Sequence, residues 1–92
     1  MITAIVLIQC ESDSIPEVAS KVSEFEQVRE VYSVTGDVDL IAMVRVRNHE
    51  DLADVIADEI SKTKGVIETR TYIAFRSYSR HDLEQAFDLG LD

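Results

Sequence analysis

The sequence predicts an α+β fold of the ferredoxin-like type, a four-stranded sheet with two helices on one face. Strand-like and helix-like segments alternate in the order βαββαβ, with lengths that suit this fold. The segments Ile2–Cys10 and Leu40–Val46 are the most continuously apolar, as central strands are. The second and fourth strand segments carry charges at Arg29, Glu30, Glu68 and Arg70. Right-handed crossovers then place strands one and three in the centre and strands two and four at the edges.

The first helix is predicted from a start signal and an apolar stripe. Ser14 with Pro16 and Glu17 fits a capping box, with a serine N-cap, proline in the first turn and glutamate three residues on. An apolar stripe follows at helical spacing: Ile15, Val18, Ala19, Val22 and Phe25. After this helix, residues 28–35 and 39–47 read as two strands of a hairpin, with a turn over residues 36–38.

The second half of the chain repeats the pattern of helix and strand. Asn48 is a predicted N-cap, and the apolar stripe of the second helix is Leu52, Val55, Ile56 and Ile60. Gly65 ends this region. Residues 66–77 are predicted to form the fourth strand. Regular alternation of side chains along it places Val66 and Thr69 on opposite faces of the sheet. Ser79 is a predicted cap for a short C-terminal helix carrying Leu83, Ala86 and Phe87.

Composition excludes several classes of function. The 92 residues predict one domain over 1–92, and the net charge of −9 repels phosphate, which argues against direct nucleic-acid binding. A single cysteine, Cys10, suits a reducing cytoplasm. The apolar N-terminal run is too short for a membrane span. No spacing of Cys or His suggests a metal site, and no motif indicates a cofactor.

Two helices cover only one face of a four-stranded sheet. On the third strand, one side carries Leu40, Ala42, Val44 and Val46, and the other carries Ile41, Met43 and Arg45, so both sides are largely apolar. An exposed apolar sheet face favours aggregation in a monomer, and packing two sheets face to face buries it. We therefore predict a homodimer in which two sheets pack face to face and form a dimeric α+β barrel. Several such dimers can also assemble into a ring.

Two motifs resemble the effector-binding domain of the leucine-responsive (Lrp)/AsnC transcriptional regulators, also called the regulation-of-amino-acid-metabolism domain. The family's Val-Thr-Gly-x-x-Asp turn is similar to Val34–Asp39, and its Gly-Val-x-x-Thr-x-Thr strand is similar to Gly65–Thr71. The resemblance covers residues 1–77. Full regulators of this family carry an N-terminal helix-turn-helix, whereas this chain opens on its first strand, so we expect a ligand-binding domain without its own DNA reader.

The resemblance implies an amino acid effector at an interface between dimers, near the glycine turn and the threonine strand. The implied ligand-binding residues are Thr35, Gly36, Asp37, Asp39, Thr69 and Thr71. These residue types suit a free amino acid, which has a carboxylate and an ammonium. A glycine turn exposes backbone N–H groups to the carboxylate, an aspartate accepts from the ammonium, and threonine hydroxyls can donate or accept. The alternative is that the turn residues only form a turn and that the threonines only favour a strand.

The resemblance also implies partners and a function. We expect a non-enzymatic domain that acts in transcription through oligomerisation or through a full-length Lrp/AsnC regulator. Two alternatives remain. One is a small monooxygenase-like or isomerase-like enzyme on a dimeric α+β barrel, although His49 and His81 sit at predicted helix starts rather than in a cleft. The other is an ACT-like regulatory module, although residues 9–15 lack the glycine which that family favours there.

Overall fold

The computed structural model describes residues 1–78 and residue 80. Its elements, in chain order, are β1 (Ile2–Cys10), α1 (Ile15–Ser23), β2 (Val28–Ser33), β3 (Leu40–Val46), α2 (His49–Ala53, continued by π-helical turns over Asp54–Ile60) and β4 (Val66–Ile73). All neighbouring strands are antiparallel, in the spatial order β2-β3-β1-β4. The ferredoxin-like order and the central position of strands one and three are therefore confirmed. The predicted C-terminal helix lies outside the described residues.

The core lies between the helices and one face of the sheet. Alternate side chains of the two central strands are completely buried: Ala4, Val6 and Ile8 from β1, and Leu40, Ala42 and Val44 from β3. The helices cover them with Val18, Val22, Val55 and Ile60, each at most 1% exposed. Because each buried aliphatic side chain contributes roughly 1.5–3 kcal/mol, this single layer accounts for most of the hydrophobic stabilisation.

The strands end earlier than the alternation predicts. β2 ends at Ser33 and β3 begins at Leu40, so that residues 34–39 form a loop instead of a three-residue turn. Val38, within this loop, is only 8% exposed. β4 ends at Ile73 rather than at residue 77. Ala74 N donates to Thr3 O at 2.8 Å. Because β1 begins only one residue before Thr3, residues after Ala74 have no part of β1 with which to pair.

A register shift in the β1–β4 pairing changes which face Val66 occupies. Gln9 pairs with Glu68, but the next residue, Cys10, pairs with Val66. The bulge brings Val66 against the core. Simple alternation, which put Val66 on the opposite face from Thr69, was wrong at this point.

The two helix starts differ. Asn48 caps α2 as predicted, since its Oδ1 accepts from Asp51 N at 2.9 Å. The capping box predicted at Ser14 does not form. Ser14 occupies the N-cap position, but its backbone is not extended (φ −120°, ψ 7°) and its hydroxyl donates to Asp13 Oδ1 at 3.3 Å instead of bonding the helix.

The second helix widens after Ala53 into π-helical turns. Ser61 N donates to Ile56 O at 2.8 Å, a bond across five residues. Val55 and Ile60, also five residues apart, both face the core, so the wider turn matches the spacing of the buried side chains. In the described part of the chain, no helix is long and apolar enough to cross a membrane.

Two glycines provide a matched test of how the fold is held together. Gly65 has a φ of +98°, and a Cβ there would lie 2.8 Å from Val18 Cγ2, at the contact between α1 and the start of β4. Gly36 has a φ of +123°, with open space around the same position. Replacing either glycine with alanine costs about 1–3 kcal/mol of backbone strain. Gly65→Ala adds about 1–3 kcal/mol of overpacking.

We therefore expect Gly65→Ala to lower the free energy of unfolding more than Gly36→Ala. Urea denaturation followed by circular dichroism measures both variants under the same conditions. Equal losses would show that the α1–β4 contact relaxes without cost and that only the backbone conformation matters.

Candidate functional site

The face of the sheet that carries no helix, called here the open face, is rich in apolar side chains. Four apolar residues between the buried positions of β1 and β3 point to it and are half-buried: Ile5, Leu7, Ile41 and Met43. Gln9 and Arg45, on the same face, are exposed. Tyr32 on β2 and Tyr72 on β4 pair with Ile41 and Ile5 and are 47% and 55% exposed. The predicted two-sided apolar character of the central strands is thus present in the structure.

The loop at one end of the open face is fastened by Asp39. Its carboxylate Oδ2 accepts from Cys10 N at 2.9 Å, and its backbone N–H donates to Ile8 O at 3.0 Å. Its carbonyl accepts from Val34 N at 3.1 Å, which closes the loop. Burial raises the pKa of the Cys10 thiol, and the nearby Asp39 carboxylate raises it further. Asp39 is therefore engaged in holding the loop against β1.

Asp37, in the same loop, forms a small polar pocket with the open face. Its Oδ2 lies 3.7 Å from Arg70 Nη2. Arg70 pairs with Leu7 and Glu68 pairs with Gln9 across the β1–β4 ladder, so these four side chains share one face. The pocket has a volume of about 280 Å³ and is lined by Leu7, Gln9, Asp37, Val38, Glu68 and Arg70. It places a carboxylate beside a guanidinium, which suits a ligand with both charges.

The structure separates the predicted site residues into two groups. Thr35, Gly36 and Asp37 are exposed on the loop beside the pocket, and the positive φ of Gly36 confirms its role as a turn glycine. Thr69 and Thr71 pair with Ile8 and Val6, which puts both on the helix side of the sheet. The hydroxyl of Thr69 lies 3.4 Å from that of Ser61. In one chain, the two threonines and the Asp37 pocket lie on opposite faces.

Sequence reasoning missed three polar residues of the pocket, namely Gln9, Glu68 and Arg70, and the apolar Leu7 and Val38. A signal for the polar ones was present. Glu68 and Arg70 alternate with the threonines along β4, and Gln9 stands opposite Glu68 on β1; a few convergent polar groups beside apolar ones are typical of a binding site.

A larger groove of about 640 Å³ lies on the other side of the molecule, where the two helices barely touch. It shares no residue with the Asp37 pocket. The ion pairs at this groove each join residues three or four positions apart in the chain, Lys21 with Glu24 at 3.7 Å and Lys62 with Asp58 at 3.8 Å. Glu17, Glu59 and Lys64 also line it. We assign the candidate site to the Asp37 pocket, because its opposite charges come from two separate elements and converge on one cavity.

Two aspartates of the same loop test this division of roles. Asp39→Ala leaves the Cys10 N–H without its acceptor, and an unpaired, partly buried donor costs about 1–3 kcal/mol. Asp37→Ala removes only an exposed ion pair, which costs less than about 1 kcal/mol. Chemical denaturation of both variants should rank Asp39→Ala as clearly less stable. The same small loss in both would show that Asp39 does not hold the loop.

Comparison with known proteins agrees with the fold. The family model for the Lrp/AsnC ligand binding domain matches residues 3–83. The HTH-type transcriptional regulator FL11 of Pyrococcus abyssi is 35% identical over 75 residues, which cover 82% of this chain and 49% of that protein. The chain spans about half the length, or less, of the curated relatives it matches.

Solved structures give the same result. The protein TTHA0845 of Thermus thermophilus is 45% identical, with a TM-score of 0.83, over 87% of this chain and 100% of that one. The feast or famine regulatory protein of M. tuberculosis, solved in complex with L-methionine, is 28% identical, with a TM-score of 0.70, over 87% of this chain and 54% of that one. This chain therefore belongs to the Lrp/AsnC ligand-binding domain family.

Proposed function

We propose that this chain is a cytoplasmic, non-enzymatic domain that binds an amino acid and acts in transcriptional regulation through a DNA-binding partner. The observation that carries the proposal is the Asp37–Arg70 pair beside the Gly36 turn, over a cavity of about 280 Å³. Every free amino acid brings an ammonium and a carboxylate, which are the two groups this pair is built to receive. The complex of the M. tuberculosis relative with L-methionine supports the same class of ligand.

The geometry suggests how the ligand is held. The guanidinium of Arg70 can donate two hydrogen bonds to the α-carboxylate, and Asp37 can accept from the α-ammonium. Gly36 has no side chain, so the loop backbone can approach the ligand. Thr35 and Asp39 border the site from the loop. Thr69 and Thr71 lie on the opposite, helix-covered face of the sheet. We propose that they contact a ligand only where a second dimer places its residues 34–39 loop against that face.

The assembly that we propose is a homodimer through the open face. Two sheets packed face to face would bury the apolar side chains of β1 and β3, at roughly 25 cal/mol per Å² removed from water. Asp37 is 88% exposed on its side chain and stands at the end of the sheet, so the pocket would remain at the rim of such an interface. Rings of dimers would use the remaining surfaces.

We propose that this chain acts in transcription through a DNA-binding partner. With 18 acidic against 9 basic residues, the chain repels the phosphate backbone of DNA. Matched relatives are named as HTH-type transcriptional regulators. We propose that this domain joins such a regulator through the interfaces which their ligand-binding domains share.

The binding site can be tested with matched ion-pair variants. A thermal-shift screen of the twenty amino acids first identifies an effector, since a ligand that binds only the folded state raises the melting temperature. Asp37→Asn and Arg70→Gln should then weaken its binding by about tenfold or more in calorimetry, because each removes one charge partner. The control variants Asp58→Asn and Lys62→Gln break a comparable exposed pair, at 3.8 Å near the end of the second helix, and should bind normally.

Unchanged affinity in both pocket variants would place the site elsewhere. Thr71→Ala, on the helix side, gives a further comparison. A loss in Thr71→Ala without a loss in Arg70→Gln would favour a site that faces a second dimer.

The dimer is tested by a charge placed on the open face. Met43→Asp should convert the protein to monomers or prevent folding, because an unpaired carboxylate in a dry interface is costly. Ile67→Asp is the matched control, since Ile67 is 62% exposed on the edge strand and lies outside the proposed interface. Sedimentation velocity at micromolar concentration distinguishes the species. A wild-type protein that sediments as a 10.4 kDa monomer would contradict the proposed assembly.

A further inference from the structure

The charges around the Asp37 pocket do not balance. Three charged side chains line it: Asp37, Glu68 and Arg70. Arg70 lies 3.7 Å from Asp37. Within residues 1–78 and 80, Glu68 takes part in none of the ion pairs, which join Lys21 to Glu24, Lys62 to Asp58 and Arg70 to Asp37. One carboxylate of the pocket is left without a cation.

We propose that the pocket selects amino acids with a cationic side chain, of the lysine and arginine class, and that Glu68 determines this specificity. The inference rests on the proposed function of the same pocket and adds the class of ligand. Two carboxylates and one guanidinium give the pocket a charge of −1. An amino acid with a neutral side chain leaves that charge uncompensated, one with an acidic side chain increases it, and one with a cationic side chain cancels it.

The register of the strands places Glu68 where a long side chain can reach it. Arg70 and Glu68 are two residues apart on β4 and lie on the same face, opposite Leu7 and Gln9. Two residues along a strand span about 6.6–6.8 Å, which the flexible four-carbon stem of lysine can bridge. A ligand whose carboxylate binds Arg70 therefore brings its side-chain cation to Glu68.

The remaining lining of the pocket fits the stem of such a ligand. Leu7 and Val38 are the apolar residues of the pocket, and lysine and arginine bury their methylene groups along apolar surface while the charged end stays hydrated. Gln9, directly opposite Glu68, offers an amide oxygen as a second acceptor for the cation. The net charge of −9 also attracts cationic ligands from solution.

The test compares ligands that differ in side-chain charge. Calorimetry at one fixed ionic strength measures L-lysine, L-arginine, L-methionine and L-glutamate against the intact chain. We expect lysine or arginine to bind about tenfold or more tighter than methionine, and glutamate to bind most weakly. Glu68→Gln should remove the preference for the cation while keeping the affinity for methionine. Glu68→Lys should reverse the preference towards glutamate.

Glu17→Gln, an exposed carboxylate on α1, is the control and should keep the wild-type order of ligands. Equal or tighter binding of methionine by the wild-type protein would overturn the specificity claim. A cation preference that survives Glu68→Gln would overturn it as well. If neutral amino acids bind and depend on Asp37 and Arg70, only the specificity fails; if none of the amino acids binds, the proposed function fails with it.

Discussion

One constraint governs the structure: the helices cover only one of the two faces of the sheet. Two helices cover one face of the four strands, and the side chains that the central strands direct to this face, such as Val6, Ile8, Leu40 and Val44, are almost completely buried. The other face receives nothing from the described chain, yet β1 and β3 still direct Ile5, Leu7, Ile41 and Met43 towards it. A contiguous exposed apolar surface of this kind marks a contact with another surface. The same face carries the polar pocket at its end, so the proposed dimer and the proposed ligand site both depend on it.

The position of that pocket is set by contacts of the loop and strand that form it. Asp39 fastens the loop to the end of β1 with two hydrogen bonds and closes the loop with a third, from Val34 N, so Asp37 is held over the sheet. Gly65 lets the start of β4 approach α1 closely, and its carbonyl accepts from Glu11 N at 2.8 Å. Loop and strand are thus both anchored to β1, and the Asp37–Arg70 pair spans two fixed elements. A pocket arranged in this way before binding loses less conformational entropy when a ligand enters.

Sequence patterns predicted the fold well because its elements are specified by local chemistry. Period-two and period-3.6 apolar spacing identified all four strands and both helices, and Asn48 was recognised as a cap from its own side chain. The failures occur where distant residues decide. Ser14 makes no cap hydrogen bond and instead lies against Gly65, fifty-one positions away in the chain. The bulge at Gln9–Cys10 and the π-helical turns before Ser61 depend on how the core packs, which no local pattern records.

The site was predicted less completely for the same reason. The loop motif predicted a turn at Gly36, which the positive φ of this glycine agrees with, since a glycine turn is a local feature. That Asp37 and Gly36 bind a ligand stays a prediction. Thr69 and Thr71 were grouped with them from the resemblance, but alternation along β4 places Arg70 and Glu68, not the threonines, on the face that Asp37 reaches. Glu68 and Arg70 alternate with Thr69 and Thr71 along β4. Which of these two pairs faces the Asp37 loop depends on the register between β1 and β4, and that register includes a bulge.

The central claim, that a second copy covers the open face, can be tested with the two methionines of the chain. Met1 is 77% exposed, whereas Met43 is half-buried in the single chain and would be fully covered in a dimer. Mass spectrometry after mild peroxide treatment measures the rate of sulfoxide formation at each residue. We expect Met1 to oxidise quickly and Met43 to be strongly protected at micromolar concentration, with the protection decreasing on dilution. Rapid oxidation of Met43 at a rate near that of Met1, independent of protein concentration, would contradict the account.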